Sequence, residues 1–373
     1  MLFRSGAGKT ILARQLGRWA LQAGGGDGLA RHKILPIWID DEIASGTSIV
    51  DLVRRKLRTI LQEEVLEEDI ITVMLRKQRI MVIVDRLSEK SLATQKEIRQ
   101  IFRNASINAL VITSRTLIVP EGIEPLTLFP QPLNAGNVLR FMLTIIDTIR
   151  QKTEVTKLSK DDVSNLFSSP AEQLDLGGRL AKLFLAGETE GESSSGLFPL
   201  PVRLFVEESL ELLQKGKSFD DLPVSLTDVY LRYVERVNPT DREVDNFIPG
   251  ESYLHASMLV AMMALRGNFV PKEITKMDAG KMLAEAGYPP AREYDPLQRM
   301  LDNGLLIEKV TLGQRRVRFA LDPVAEHLGA AWLIAKHDGN EVALKAEFAG
   351  ACLPTGFGAA LKLARDAWCN RDQ

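Results

Sequence analysis

The sequence predicts an α/β unit built on a parallel sheet covered on both faces, followed by an all-helical region and a small unit of helices with a two-stranded hairpin. Three features carry that expectation. The apolar runs Ile34–Ile39, Arg79–Val84 and Ala109–Thr113 alternate with amphipathic stretches, the pattern of buried parallel strands joined by helices. A glycine-rich loop at the start leads directly into a helical period. Beyond about Leu133 the strand signals stop, and helical spacing dominates from Ala135 to about Met300.

Taken in order, Thr10–Ala23 sets Ile11, Leu12, Leu16, Trp19 and Ala20 at helical spacing, and Gly24–Gly25–Gly26 ends it. Ile34–Ile39 is a buried strand whose proline suits an edge or a strand start. Ser48–Leu61 and Glu67–Lys77 read as helices. Arg79–Val84 is a second buried strand, ending in Asp85. A helix near Ala93–Arg103 leads to the third strand, Ala109–Thr113, and a short fourth strand is expected at Leu126–Phe129. Gly187–Gly196 is a polar loop between helices, and Pro199–Leu200–Pro201 precedes the amphipathic helix Val202–Leu213. Pro296–Asp302 is a helix that Asn303–Gly304 can stop. Leu305–Val310 and Arg315–Ala320 form a hairpin across Thr311–Gln314. Asp322 is placed to cap the next helix, with Pro323 at its first position, and that helix runs to about Ala335. Helices followed by such a hairpin suggest a winged helix. No repeat of fixed period is present.

The composition is globular. Of 373 residues, 45% are hydrophobic and 26% charged, enough apolar mass for more than one core. The net charge of −2 draws the chain neither to nucleic acid nor to anionic membrane as a whole. No apolar run approaches the roughly 20 residues of a membrane span. Cys352 and Cys369 form no disulfide or zinc pattern, and His32, His255, His327 and His337 are scattered. With no secretory signal, a reduced, cytoplasmic protein is expected. Only Met1 and Leu2 precede the glycine-rich loop, where a buried strand is normal, so a segment of a longer protein is also expected.

The chemistry begins in that loop. Ser5–Gly6–Ala7–Gly8–Lys9–Thr10 preserves the second half of the phosphate-cradling pattern G-x-x-x-x-G-K-[ST], with Phe3 at the first glycine. Backbone N–H groups and the helix N-terminus suit phosphate oxygens, Lys9 suits the β- and γ-phosphates of ATP or ADP, and Thr10 suits Mg²⁺. Asp85, at the end of a buried strand, is a second Mg²⁺ candidate, and Glu89 is a candidate general base for the attacking water. Thr113–Ser114–Arg115 ends the third strand, and Arg115 could stabilise charge on a γ-phosphate. Asp40–Asp41–Glu42 is read as a solvated loop or helix start rather than a metal site. Lys309, Arg315, Arg316 and Arg318 on the hairpin can touch DNA phosphates, but a solvated strand face is preferred because no basic recognition helix adjoins them.

In this order the motifs resemble the NACHT group of STAND ATPases, relatives of the AAA+ class, over nearly the whole chain. Ser5–Thr10 resembles the family's Walker A, Val82–Glu89 its Walker B and Leu110–Arg115 its sensor-1 strand. Leu200–Pro201 is similar to the family's adenine-contacting proline, so Pro201 joins the nucleotide-binding set. Leu301–Leu306 through Arg318–Ala320 resembles its winged helix, and Glu326–Ala331 the Glu-aromatic-Leu-Ala-Ala helix after it. Departures are Phe3, Arg86 and Ser88 in place of the Walker B glycine and first acid, and Leu321 where many relatives carry a histidine.

The resemblance implies an AAA+-like P-loop sheet lacking its first strand over residues 1–132, a helical domain over 133–240, a winged helix over 241–321 and the start of a C-terminal helical region over 322–373. It implies an ATP/ADP switch with slow hydrolysis that self-oligomerises on activation, joined to a sensor and an effector of unknown kind; in bacterial relatives such switches serve signalling, including defence against phage. The alternatives are an AAA+-like ATPase that remodels a macromolecule, a winged-helix DNA-binding regulator, and a scaffold that no longer binds nucleotide.

Overall fold

The computed structural model describes residues 8–22, 29–40, 42–43, 47–62, 67–101, 107–114, 119–128, 133, 135–152, 199–214, 221–223, 225–238, 248–288, 294–311, 313–348 and 353–369. They divide into two compact units, one within Gly8–Pro130 and one within Gln131–Gln373.

The first unit is organised by its most apolar strand. Ile80–Val84 (β2) is Ile-Met-Val-Ile-Val and buried at every position, so it can only be central. Leu35–Ile39 (β1) and Leu110–Ile112 (β3) flank it in parallel, in the order β1-β2-β3. The register pairs Leu35 with Ile80, Ile39 with Val84, and Val84 with Ile112. Pro36 lies on the outer strand β1, where its missing N–H breaks no ladder. Helices cover both faces. Ala13 and Ala20 of α1 (Lys9–Ala20) lie with Met81 and Ile83 on one face. A Cβ on Gly17 of the same helix would stand 3.3 Å from Pro36 Cβ and from Ile83 Cδ1, so glycine lets α1 lie close against the sheet. On the other face Ile37, Ile39, Val82 and Val84 meet α2 (Ile49–Leu61), α3 (Glu68–Arg76) and α4 (Leu92–Arg99). Each fully buried aliphatic side chain here stabilises the unit by about 1.5–3 kcal/mol. The caps suit the sequence. Ser48 and Asp51 form a reciprocal capping box on α2, and Ser91 Oγ accepts from Thr94 N–H on α4.

One expected strand is not formed. Leu126–Leu128 is irregular, with Leu126 88% exposed, and Phe129 lies outside the described residues.

In the second unit the helices are α5 (Ala135–Lys152), α6 (Pro199–Gln214), α7 (Leu226–Arg236) and α8 (Gly250–Leu265). Then come β4 (Ile274–Thr275), α9 (Lys276–Glu285), α10 (Pro296–Asp302), β5 (Leu306–Thr311) and β6 (Gln314–Phe319). The hairpin is antiparallel, with β4 added beside β6 to give the order β4-β6-β5. β4 escaped the sequence reading because two residues carry no period. Asn303 and Gly304 do end α10: Gly304 sits at φ 72°, and its N–H reaches Leu301 C=O at 3.1 Å. α11 (Asp322–Lys336), α12 (Glu341–Glu347) and α13 (Thr355–Cys369) complete the unit. Asp322 is the first residue of α11 rather than its cap; Leu321 holds the cap position without a side-chain hydrogen bond, and Pro323 lies in the first turn. The loop at 187–196 lies outside the described residues.

The core of this unit joins Phe205 of α6, Tyr253 and Val260 of α8, Met300 of α10, Val317 and Phe319 of β6, and Leu328 of α11. α8 and α11 approach closely at Gly329, where a Cβ would run into Cδ1 of the fully buried Leu265. His327, on the same helix, is buried with its ring 4.3 Å from that of Tyr230 of α7. Burial lowers the His327 pKa from 6.5 to about 3, and its Nδ1 has no hydrogen-bond partner among the described residues. Burial, and then the Glu326 carboxylate, raise the Tyr230 pKa well above its ordinary value.

Two outcomes follow for stability. Gly329→Ala should destabilise the protein by about 1–3 kcal/mol in urea titrations, because a methyl is forced into a filled crossing. His327 stays neutral in the folded state down to about pH 3, whereas the unfolded chain protonates near its ordinary 6.5. Its stabilisation is complete above that ordinary value and is lost as pH falls towards the folded one, at up to about 1.4 kcal/mol per pH unit. In pH-dependent thermal unfolding, His327→Phe should show a shallower loss across that window than the parent.

Candidate functional site

The C-terminal edge of the three-stranded sheet gathers the polar residues that the sequence singles out. α1 begins there. Gly8 is its N-cap, at φ 83° and ψ 13°, a left-handed conformation that glycine adopts without strain. Among the described residues no side chain caps this helix end, although the first N–H groups of any helix lack partners within the helix. An anion placed there meets N–H groups and the positive end of the helix dipole. Lys9 and Thr10 form the first turn.

Thr10 is the link from helix to sheet. Its Oγ1 donates to Asp85, 3.0 Å from Oδ1 and 3.1 Å from Oδ2, across 75 residues of chain. Asp85 follows β2 directly, and its side chain is 2% exposed. A buried carboxylate requires compensation, and two further groups supply it. Thr113, just past β3, donates its Oγ1 to Asp85 Oδ1 in a short hydrogen bond. Arg86 Nε lies 3.3 Å from Asp85 Oδ2. Thr113 also locks the turn after β2: its Oγ1 accepts from Arg86 N–H at 2.8 Å, its C=O from Leu87 N–H at 2.8 Å, and its N–H reaches Val84 C=O at 2.9 Å. Glu89 lies at the end of a single 3₁₀ turn, Leu87–Glu89, half-buried, with its N–H on Arg86 C=O at 2.9 Å.

Gly8, Lys9, Thr10 and Asp85 are thus brought to one end of the sheet. Ser5, Gly6, Ala7 and Arg115 lie outside the described residues. Pro201 belongs to the second unit, where it is buried in the first turn of α6 rather than preceding that helix.

The acidic run after β1 has a structural task. Glu42 accepts from Ser91 N–H at 3.2 Å, Ser91 Oγ at 2.8 Å and Thr94 Oγ1 at 2.5 Å, so it secures the start of α4. Burial pushes the Glu42 pKa up, but the hydrogen bonds from Thr94 and Ser91 outweigh it and hold the carboxyl below its ordinary value. Asp40 pairs with Lys56 at 3.3 Å, and Asp41 lies outside the described residues. Among the described residues no three His, Cys, Asp or Glu side chains form a metal-holding group, and no helix is long and apolar enough to cross a membrane. On the hairpin, Glu308 lies 3.3 Å from Lys276 and 3.6 Å from Arg315, so carboxylate is mixed with the basic residues. α10, the helix before the hairpin, buries Pro296, Leu297, Arg299 and Met300.

Arg86 is the site residue that sequence reasoning undervalued. It holds φ 56° and ψ 43°, left-handed backbone that non-glycine residues seldom adopt. The signal was present as an arginine where the resemblance has glycine, but residue type alone does not disclose that the side chain turns back to the carboxylate. Compared with known proteins, the chain matches no family model and no curated protein.

Thr113→Val removes two hydrogen bonds from buried partners while keeping the side-chain shape. It should cost about 1–3 kcal/mol of stability in chemical unfolding, and Thr113→Ser should restore most of that.

Proposed function

We propose that this chain is an ATP/ADP-binding switch of the NACHT type, with slow hydrolysis coupled to a change of domain arrangement. The observation that carries the reading is the contact of Thr10 Oγ1 with both oxygens of Asp85. A hydroxyl in the first turn of a helix and a carboxylate at the end of a parallel strand are the two protein groups that a P-loop site presents to a nucleotide-bound metal. The site also lies at the C-terminal edge of the strands, where open α/β sheets bind ligands.

By donor type Thr10 and Asp85 suit Mg²⁺ in that role, although Arg86 Nε already lies 3.3 Å from the carboxylate. Hydroxyl and carboxylate oxygens are hard donors, and Mg²⁺ takes few protein ligands when phosphates and water supply the rest. When bound, Mg²⁺ neutralises charge on the β- and γ-phosphates. The remaining work belongs to the chain. Gly8 leaves the N-terminus of α1 open to an anion, with Ser5, Gly6 and Ala7 completing the cradle. Lys9 reaches the phosphates as a point charge. Glu89 is the candidate to orient water, and Arg115, assigned from sequence alone, the candidate to meet developing charge. A single acid after Asp85, with Arg86 and Ser88 where relatives have glycine and acid, favours binding over rapid turnover.

In this reading the helices α5–α7 and the winged helix, assigned to α8 through β6, form the moving parts, and the resemblance assigns Pro201 to the adenine. The chain order α8, β4, α9, α10, β5, β6, with β4 and β5 flanking β6 in the sheet, supports the winged-helix assignment. ADP and ATP then bias two arrangements by differential contacts, which is a population shift. Activation exposes surfaces for self-assembly, in signalling that includes defence. The DNA-binding alternative loses ground because Glu308 pairs with Arg315 and α10 is largely buried. A substrate-remodelling ATPase would instead show fast multiple turnover in a stable ring.

Lys9→Ala should lower the affinity for ADP at least about a hundredfold, as expected for loss of a charge-assisted phosphate contact. Calorimetric titration of the full chain decides: parent and variant binding ADP equally would sink the nucleotide reading.

A further inference from the structure

We propose that Arg86 is a built-in counter-ion for Asp85, so that this site holds nucleotide with little dependence on Mg²⁺. The inference rests on the nucleotide-binding reading above and concerns what makes this site unlike others of its chemistry.

The Asp85 carboxylate is buried, and protein groups meet its oxygens from several directions. Thr10 and Thr113 donate to its oxygens. Arg86 places a full positive charge 3.3 Å from Oδ2. A divalent cation arriving at this carboxylate therefore finds a neutral pair rather than an anion, and meets the guanidinium as a like charge at close range. The pair is shielded from water on one side only, since the Asp85 side chain is 2% exposed and that of Arg86 is 32% exposed. The guanidinium thus keeps a path to solvent.

The backbone argues that this placement is held rather than incidental. Arg86 occupies left-handed conformation at φ 56°. Strain of this kind persists where surrounding structure over-determines it. Here the bond from Arg86 N–H to Thr113 Oγ1 and the bond from Leu87 N–H to Thr113 C=O fix the turn from both sides. The same Thr113 hydroxyl binds Asp85, so carboxylate, counter-ion and turn form one hydrogen-bonded group. Arginine suits it, because its fork can face a carboxylate while its charge never titrates.

Charge and backbone can be separated experimentally. Gln62 and Gln78 adopt left-handed conformation elsewhere in this chain, at φ 57° and 54°, so glutamine is tolerated in such a turn. Arg86→Gln removes the charge and keeps the stem; Arg86→Lys keeps the charge; Arg86→Gly removes both and relaxes the backbone. ADP affinity of the full-length proteins would be measured by calorimetry in Mg²⁺ and in EDTA. The parent and Arg86→Lys should differ by less than about threefold between the two conditions, whereas Arg86→Gln and Arg86→Gly should bind about tenfold or more tightly with Mg²⁺ than without. Strong Mg²⁺ dependence already in the parent, with no change in Arg86→Gln, would overturn the proposal and leave nucleotide binding intact. A gain confined to Arg86→Gly would also overturn it, by assigning the effect to the backbone. Absence of ADP binding in all four proteins would remove the nucleotide reading itself, and this proposal with it.

Discussion

The Asp85 carboxylate is buried and ionisable, and the first unit is arranged around meeting its needs. Water cannot solvate it, so protein groups must. They come from three separate stretches: Thr10 at the start of α1, Arg86 in the turn after β2, and Thr113 beyond β3. Each stretch is delivered by apolar packing that knows nothing of the carboxylate. Ile83 and Met81 seat α1, Val82 and Val84 seat the opposite layer, and β3 pairs in register with β2. Hydrophobic layers set positions, and the polar group then links the layers at one end.

The parallel sheet was legible for a physical reason. Strands buried on both faces must be apolar throughout, so Ile34–Ile39, Arg79–Val84 and Ala109–Thr113 could be read without neighbours. Asp85 was legible as the point where such a run gives way to charge, and Thr10 because Gly6–Ala7–Gly8–Lys9–Thr10 leads at once into a helix with an acidic strand end downstream. What escaped depends on distant partners. Leu126–Leu128 has a strand-like composition, yet the backbone there is irregular. Asp40–Asp41–Glu42 looks the same in sequence whether it faces water or, as Glu42 does, the hydroxyls of Ser91 and Thr94. Arg86 shows the limit most sharply, because backbone conformation at one residue is decided by its neighbours' hydrogen bonds.

The second unit follows a different rule. Its buried polar groups are distributed, each serving a local join. Asn238 Nδ2 donates to Ile248 C=O at 3.0 Å, and Arg299 Nε reaches Asn238 Oδ1 at 3.3 Å, tying the segment after α7 to α10. Such contacts add little net energy but penalise any packing that leaves them unmade. Glu326 is buried as well, with both carboxylate oxygens 2.8 Å from where a Cβ on Gly356 would lie, in the first turn of α13. An acid at a helix N-terminus complements the dipole, and a side chain at position 356 would require this carboxylate to shift.

The parallel connection of β1, β2 and β3 also governs when the site can exist. No two of these strands are hairpin neighbours, so each pairing closes a long loop before any ladder bond forms. The contact from Thr10 to Asp85 spans 75 residues and needs α1 and β2 both docked. It therefore closes a longer loop than either strand pairing in the sheet. A ligand that recognises this pair recognises completed folding, and by mass action it holds the first unit in its native state in proportion to its free concentration.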